Sequence, residues 1–262
     1  MKRVICFFIC LSTLFALPAT PIAADTAAHN WYCVHVKDHI QPQVGSDIGF
    51  AEEYGGFYID HAHADMSDGD KVIYLTFDAG YENGNVAKIL DVLKEKDASA
   101  AFFVLGNLIT HDTALVRRMA DEGHLICNHT VHHRDMTRVN NADFLAELQE
   151  LEQLCEETVG AKMAPYYRPP EGRFSRDNLV CAKENGYQTI FWSFAYPDWD
   201  NAKQMSPERA KQKILENVHN GEVMLLHPTS ATNAAILGEV IDELRAQGFR
   251  FGTLDELTGR AG

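Results

Sequence analysis

Short apolar runs alternate with amphipathic segments along most of the chain after residue 70. The run at 72–77 is rich in β-branched and aromatic residues, which is typical of a strand. Val86, Ile89, Leu90 and Leu93 then recur at helical spacing, which predicts an amphipathic helix. The same reasoning predicts strands at 99–105, 124–128, 187–192 and 222–226, and helices at 112–122, at 141–159, from Ser206-Pro207 onward and over a last segment that carries Ile236, Leu237, Val240, Ile241 and Leu244.

Repeated strand and helix units indicate an α/β fold with a parallel sheet, because parallel strands need crossover connections that are usually helical. About seven such units over roughly 190 residues fit a closed or nearly closed (β/α)7 barrel. An open, doubly wound sheet is the alternative. Residues 25–70 are rich in Gly, His and Asp and have little periodicity, which predicts an irregular N-terminal arm laid over a main domain at 71–258.

Residues 1–24 have the pattern of a secretory signal peptide. Lys2 and Arg3 precede an apolar run from Val4 to Leu17, and small residues follow as far as Ala24. About 14 apolar residues are fewer than the roughly 20 that span a bilayer as a helix. We therefore expect cleavage after Ala24, a secreted or cell-envelope location and no stable membrane span afterwards, with a retained anchor as the alternative.

Charge and cysteine content narrow the function classes. The chain carries 37 Asp and Glu against 23 Lys and Arg, a net charge of −14. Because no basic stripe is present to neutralise phosphates, a nucleic-acid partner is excluded. Four cysteines follow the signal segment at spacings that contain no CxxC motif, and we expect buried free thiols, although export would permit any of three disulfide pairings: Cys33, Cys127, Cys155 and Cys181.

Polar side chains follow four of the predicted strands and the short pair Tyr166-Tyr167. In a parallel barrel the loops at the carboxyl ends of the strands meet on one face. His129 and His133 are four residues apart, so one turn of helix would place both imidazoles on the same side, as a metal site requires. Taken singly, each polar group has a plain structural explanation, such as a helix cap, a surface charge or a core histidine. Their joint placement predicts one site: Asp78, His129, His133, Arg168, Asp198, Trp199 and His227.

These residues resemble the five ordered motifs of the polysaccharide deacetylase family (NodB homology, carbohydrate esterase family 4). The motifs are Thr76-Phe77-Asp78, His129-x-x-x-His133, Arg168-Pro169-Pro170-Glu171-Gly172, Asp198-Trp199 and Leu225-Leu226-His227. Segments 74–84 and 191–199 further resemble the branch of N-acetylmuramic acid deacetylases from endospore formers, which lead to muramic δ-lactam. The likeness runs from near Trp31 almost to the C-terminus and implies a distorted NodB-type (β/α)7 barrel.

The resemblance implies hydrolysis of an acetamide with the help of a divalent metal ion. His129 and His133 would bind the ion, with zinc as the first choice and manganese or magnesium as alternatives. Asp78 would be the general base, oriented by Arg168, and His227 the general acid, held by Asp198. The implied substrate-binding residues are Tyr81, Glu171, Gly172 and Trp199, with a backbone N–H near Glu171 as the oxyanion donor.

One position departs from the family pattern. Most deacetylases of this family carry a second aspartate directly after the base, as a third metal ligand, and this chain has Ala79 there. We expect lower metal affinity, because catalytic zinc usually has three protein ligands. The δ-lactam branch also lacks this aspartate, so Ala79 is equally a mark of the subfamily.

The implied substrate is the muramic acid of a peptidoglycan strand from which an amidase has already removed the stem peptide. Deacetylation of another N-acetylated glycan, such as chitin or the N-acetylglucosamine of peptidoglycan, or of xylan, is an alternative within the hydrolases. A catalytically impaired wall-glycan binding protein is the alternative outside them, although the base, its arginine and the acid are all retained.

Overall fold

The computed structural model describes residues 25–67 and 69–260. The predicted signal peptide at 1–24 lies outside the described residues. The helices are α1 Val86–Glu95, α2 Gly106–His111, α3 Thr113–Asp121, α4 Asn141–Thr158, α5 Arg176–Glu184, α6 Pro207–Asn217, α7 Ala231–Ala246 and α8 Leu254–Leu257. The strands are β1 His29–Asn30, β2 Cys33–Val34, β3 Gln43–Val44, β4 Gly56–Phe57, β5 Lys71–Ala79, β6 Ala101–Val104, β7 Leu125–Asn128, β8 Tyr166–Tyr167, β9 Arg173–Phe174, β10 Gln188–Ile190, β11 Glu222–Leu226 and β12 Phe249–Phe251.

The main sheet is parallel and curls into a nearly closed barrel. Its strand order is β11-β5-β6-β7-β8-β10-β4, and β12 pairs with the beginning of β5. Isolated bridges join Ile59 and Phe194, just beyond β4 and β10, to Glu222 and Met224 of β11. These bridges bring the two ends of the strand order together without a full ladder. The distorted (β/α)7 barrel is confirmed, and the open doubly wound alternative is wrong.

Two apolar layers fix which side of each strand faces the barrel interior. On β5, Val72 and Tyr74 pack with interior residues such as Phe103. Ile73 and Leu75 instead belong to the cluster that packs against the surrounding helices. Because side chains alternate along a strand, Asp78 at the end of β5 lies on the interior side.

The long helices begin and end where the sequence predicts. Asn140 caps α4 by accepting a hydrogen bond from the Asp143 N–H, and Ser206 with Pro207 opens α6. Gly160 follows α4 with a φ of 76°, a left-handed conformation that glycine adopts without steric cost. Helix α5 was not predicted, because its capping box pairs Ser175 with Asn178 rather than with the more familiar Glu or Gln.

The N-terminal arm is irregular but closely attached to the barrel. β1 pairs with β9, and β4 extends the main sheet next to β10. Trp31 stacks on Phe191 with ring centroids 4.1 Å apart, and its indole N–H donates to the Trp192 carbonyl at 2.8 Å. The arm thus supplies one strand, β4, to the barrel sheet. The domain boundary at residue 70 stays a prediction.

Two further predictions concern the cysteines and the membrane. The four cysteines of the described residues are free thiols, as expected. Three of them are buried, also as expected, whereas Cys33 is half-buried. Within residues 25–67 and 69–260, no helix is both long and apolar enough to cross a bilayer.

Candidate active site

Asp78 and the two motif histidines meet at the carboxyl end of the barrel. Asp78 Oδ2 lies 3.6 Å from His129 Nε2. The rings of His129 and His133 meet edge to face, with centroids 5.0 Å apart. The structure therefore brings together the predicted base and both predicted metal ligands.

Arg168 is wholly buried, so it is not a surface charge. One guanidinium nitrogen, Nη1, donates to Asp78 Oδ1 at 2.8 Å, and Nη2 donates to the Thr76 hydroxyl at 2.9 Å. Nε and Nη2 also donate to the carbonyls of Ile190 at 3.0 Å and Phe191 at 3.1 Å. Because all three guanidinium nitrogens have an acceptor, the orientation of the side chain is fixed and the buried cation is compensated.

The same arginine orients a histidine through its backbone. His129 Nδ1 donates to the Arg168 carbonyl at 2.9 Å. Since a carbonyl oxygen only accepts, Nδ1 carries the proton and Nε2 keeps its lone pair, which is the tautomer that a metal ligand needs. This lone pair faces the same space as the free oxygen of Asp78.

The local electrostatics favour a neutral imidazole beside an ionised carboxylate. Burial lowers the pKa of His129 to about 4, with the charge of Asp78 opposing that shift. Burial raises the pKa of Asp78, but Arg168, followed by His129 and His227, holds it below its ordinary value. A neutral ligand and a charged base are the forms that metal-assisted hydrolysis uses.

The histidine loop is not the helical turn that the spacing predicts. Residues 129–135 have no helical assignment. Thr130 and His133 instead have positive φ angles of 71° and 55°. The prediction of a helical turn was therefore wrong. The two imidazoles still lie together, because the two left-handed residues turn the loop back on itself.

Asp198 and His227 form the second half of the site. Asp198, which is almost completely buried, accepts from His227 Nδ1 at 2.7 Å and from the His227 N–H at 2.8 Å. Asn233 donates its side-chain amide to the same carboxylate at 2.6 Å. Nδ1 is thereby fixed as a donor, so Nε2 is the nitrogen of His227 that can exchange a proton with a substrate.

The pKa of His227 is raised although the ring is buried. Burial lowers the pKa, but the hydrogen bond and charge of Asp198, and then the charge of Asp78, raise it above its usual value. A raised pKa keeps the imidazole protonated to higher pH, as a general acid requires. Leu226 pairs with Phe77 across the neighbouring strands β11 and β5, so His227 and Asp78, the next residue along each chain segment, lie beside each other at the same end of the barrel.

The donors available to a metal ion are two imidazoles. Ala79 is wholly buried in the helix-facing apolar cluster and offers no oxygen. Within the described part of the chain, no group of three or more His, Cys, Asp or Glu side chains is arranged to hold a metal. His129 and His133 would supply two ligands to an ion, and Asp78, whose Oδ2 lies 3.6 Å from His129 Nε2, is the carboxylate beside them.

The four predicted substrate-binding residues lie in two places. Tyr81 and Trp199 are exposed to solvent by 44% and 59%. The Trp199 ring lies 6.2 Å from the His227 ring, and the Tyr81 hydroxyl accepts a hydrogen bond from Asn201 at 2.8 Å. The other two residues, Glu171 and Gly172, form the turn after Arg168.

The turn after Arg168 depends on a glycine. Glu171 is exposed with a φ of 56°, and Gly172 has a φ of 66°. A Cβ atom at Gly172 would lie 2.7 Å from the Trp192 ring and 3.0 Å from Trp31 Cβ. The arm closes over this turn, because the Trp31 N–H donates to the Gly172 carbonyl at 2.8 Å.

Sequence reasoning missed the residues that support the site from behind. Thr76 holds Arg168, Asn233 holds Asp198, and Glu147 accepts hydrogen bonds from the histidine loop. Thr76 lies inside the first of the five motifs and could have been assigned a polar contact from its interior register. Asn233 and Glu147 lie within helices, where no local pattern separates them from surface polar residues.

A comparison with known proteins gives the family. The model of the polysaccharide deacetylase family matches residues 65–190. The peptidoglycan-N-acetylmuramic acid deacetylase PdaA of Bacillus subtilis is 36% identical over 254 residues, which cover 96% of this chain and 94% of PdaA. The chain belongs to the polysaccharide deacetylase family. The predicted membership and enzyme class, an N-deacetylase of carbohydrate esterase family 4, are confirmed.

Solved structures of this family share the fold. The structure of Bacillus subtilis PdaA superposes with a TM-score of 0.83 and covers 90% of this chain and 99% of its own. A family 4 carbohydrate esterase from Bacillus anthracis gives a TM-score of 0.73 at 38% identity, with 91% and 99% covered. A peptidoglycan-N-acetylglucosamine deacetylase from Bacillus cereus is 30% identical over 74% of this chain and 91% of its own length.

The first prediction concerns the need for glycine in the turn after Arg168. We expect Gly172→Ala to destabilise the deacetylase by about 1–2 kcal/mol for the left-handed backbone and by about 1–3 kcal/mol more for the clash with Trp192. Gly186→Ala is the matched control, since Gly186 has a φ of 87° and no atom lies within 4 Å of the position that its new methyl group would take. Urea unfolding compares the two variants, and equal losses would mean that the turn has room for a side chain.

Proposed function

We propose that this deacetylase is an exported, divalent-metal-dependent hydrolase that removes the N-acetyl group from muramic acid in peptidoglycan, as a step towards muramic δ-lactam. The observation that carries the proposal is the placement of Asp78 between Arg168 at 2.8 Å and the Nε2 of His129 at 3.6 Å, with His227 beside it after the paired strand β11. The choice of muramic acid is supported by the similarity to PdaA along 96% of the chain.

In this proposal each step of amide hydrolysis has a residue. His129 and His133 would hold the ion, zinc in the first instance, which when bound would supply polarisation of the acetyl carbonyl and a more acidic water. Asp78 accepts a proton from the attacking water as the oxygen–carbon bond forms. A backbone N–H near Glu171 stabilises the oxyanion of the tetrahedral intermediate.

The leaving group needs a proton before the carbon–nitrogen bond breaks. His227 Nε2 is suited to give it, because Nδ1 is occupied by Asp198 at 2.7 Å. The sugar nitrogen leaves as a free amine, and the acyl group leaves as acetate. The amine can then close onto the lactyl carboxyl of muramic acid once an upstream amidase has removed the stem peptide.

The exposed aromatic side chains suit a glycan substrate. Trp199 beside His227 and Tyr81 across from Asn201 offer apolar ring faces at the entrance to the site. Sugar rings present apolar C–H faces that pack on such surfaces, while their hydroxyls remain in water. These contacts suit a glycan strand.

The function is tested by digesting peptidoglycan after treatment with the purified protein and zinc. We expect mass spectrometry to detect deacetylated muramic acid or its lactam only when the glycan has first been stripped by an amidase. Chitooligosaccharides and intact peptidoglycan serve as parallel substrates. Acetate released from N-acetylglucosamine residues alone would mean that this protein has the specificity named for the Bacillus cereus relative. No acetate from any glycan would indicate an impaired binding protein.

Replacing the proposed base separates chemistry from folding. We expect Asp78→Asn to lower kcat by at least about 100-fold, the usual contribution of a positioned base, because an amide cannot take the proton from water. Asp121→Asn, at an exposed position of α3, is the control and should leave acetate release unchanged. Full turnover by Asp78→Asn would assign the base to another residue.

The Asp198–His227 pair sets the alkaline limit of activity. The hydrogen bond and charge of Asp198 raise the pKa of His227 against the effect of burial. We expect Asp198→Asn to move the alkaline limb of the kcat/KM profile to lower pH, since His227 then loses its proton earlier. Asp200→Asn, two residues further on, should leave the limb in place; a limb unmoved in Asp198→Asn would remove His227 from the role of acid.

A further inference from the structure

A carboxylate outside the family motifs holds the loop that carries the two histidines. Glu147 lies on α4, and its side chain is only 7% exposed. Its Oε2 accepts the N–H groups of Val131 and His132, both at 3.2 Å. Its Oε1 accepts from His132 Nδ1 at 2.9 Å and lies 3.3 Å from Arg134 Nη1.

This contact completes the hydrogen bonding of five successive amides. The N–H groups of 129, 130 and 133 donate to the Val104 carbonyl, the Asn128 side chain and the Thr130 hydroxyl. The two amides between them, at 131 and 132, donate to Glu147. Two successive backbone N–H groups that point the same way bind anions in many proteins, and here the anion is the Glu147 carboxylate. Without it, both N–H groups would lose their acceptor.

The loop needs such support because its backbone is strained. Thr130 has a φ of 71° and His133 a φ of 55°, and neither is a glycine. Side-chain-bearing residues adopt these angles at a steric cost, and they persist only when the surroundings determine them. The φ of His133 sets the direction of its imidazole, so a loop free to relax would change the His129–His133 geometry.

We propose that Glu147 is a positioning residue that preorganises His129 and His133 for a divalent metal ion. The need for it follows from Ala79, which leaves two imidazoles to define the site. Two ligands on one short loop hold an ion firmly only if the loop keeps its shape before the ion arrives. The inference rests on the metal proposed for His129 and His133, but not on which glycan is the substrate.

The test measures zinc affinity and loop protection separately in the full mature chain. Zinc dissociation constants are obtained by competition with a chelator, and amide hydrogen exchange is measured on the zinc-free protein. The variants are Glu147→Ala and Glu147→Gln, with Glu150→Ala as the matched control, since Glu150 is an exposed glutamate of the same helix.

We expect Glu147→Ala to bind zinc at least tenfold more weakly and to exchange faster at 131 and 132, with core strands unchanged. Glu147→Gln should be intermediate, because its single carbonyl oxygen can still accept from the loop. Acetate release by Glu147→Ala should recover at high zinc, since the base and the acid are intact. Glu150→Ala should match the wild type throughout.

Three results would overturn the inference. The first is unchanged zinc affinity in Glu147→Ala, and the second is faster exchange spread over the whole barrel, which would make Glu147 a general stability residue. The third is a wild-type protein that binds no zinc. A protein that releases no acetate from any glycan, but still loses zinc affinity in Glu147→Ala, would refute the proposed function and support this inference.

Discussion

The buried contact between Arg168 and Asp78 is the interaction on which the rest of the site depends. The guanidinium holds one oxygen of Asp78 at 2.8 Å, and the backbone carbonyl of the same residue holds His129 Nδ1 at 2.9 Å. One residue thus orients the proposed base and a proposed metal ligand together. A buried cation is tolerated here because Thr76, Ile190 and Phe191 supply its other hydrogen-bond acceptors. The guanidinium carbon also lies 4.1 Å from the centre of the Phe103 ring, a cation–π contact.

The barrel makes this arrangement available because it gathers distant parts of the chain. Asp78 ends β5, Arg168 follows β8, and the acceptors of Ile190 and Phe191 lie at the end of β10. In a curled parallel sheet these strand ends point to one rim. His227 reaches the same rim because it follows β11, which pairs directly with β5. Asp198 reaches it because the residues after β10 join β11 through the Phe194–Met224 bridge.

Much of this could be predicted from the sequence. The alternation of apolar runs and amphipathic segments predicts the barrel, and the polar residues at the strand ends predict which side chains meet. The helical turn for His129 and His133 could not be corrected from spacing alone. Thr130 and His133 are left-handed in a loop whose intervening amides, at 131 and 132, donate to Glu147 on a later helix, and the spacing of the histidines contains no sign of that contact. Arg168 illustrates the same limit, because its complete burial follows from partners on three other strands or loops.

The alanine at position 79, where most members of the family have aspartate, also has a structural explanation. Ala79 faces the helices, in the cluster that includes Val86 and Leu90, whereas Asp78 faces the site. A methyl group at this position suits the apolar layer and removes a negative charge from beside Asp78. A second carboxylate beside Asp78 would raise the pKa of the base, because like charges oppose ionisation. With alanine, the proposed metal site would have two histidine ligands and would depend on how firmly the backbone presents them. The contact between Glu147 on α4 and the histidine loop supplies that support in our proposal.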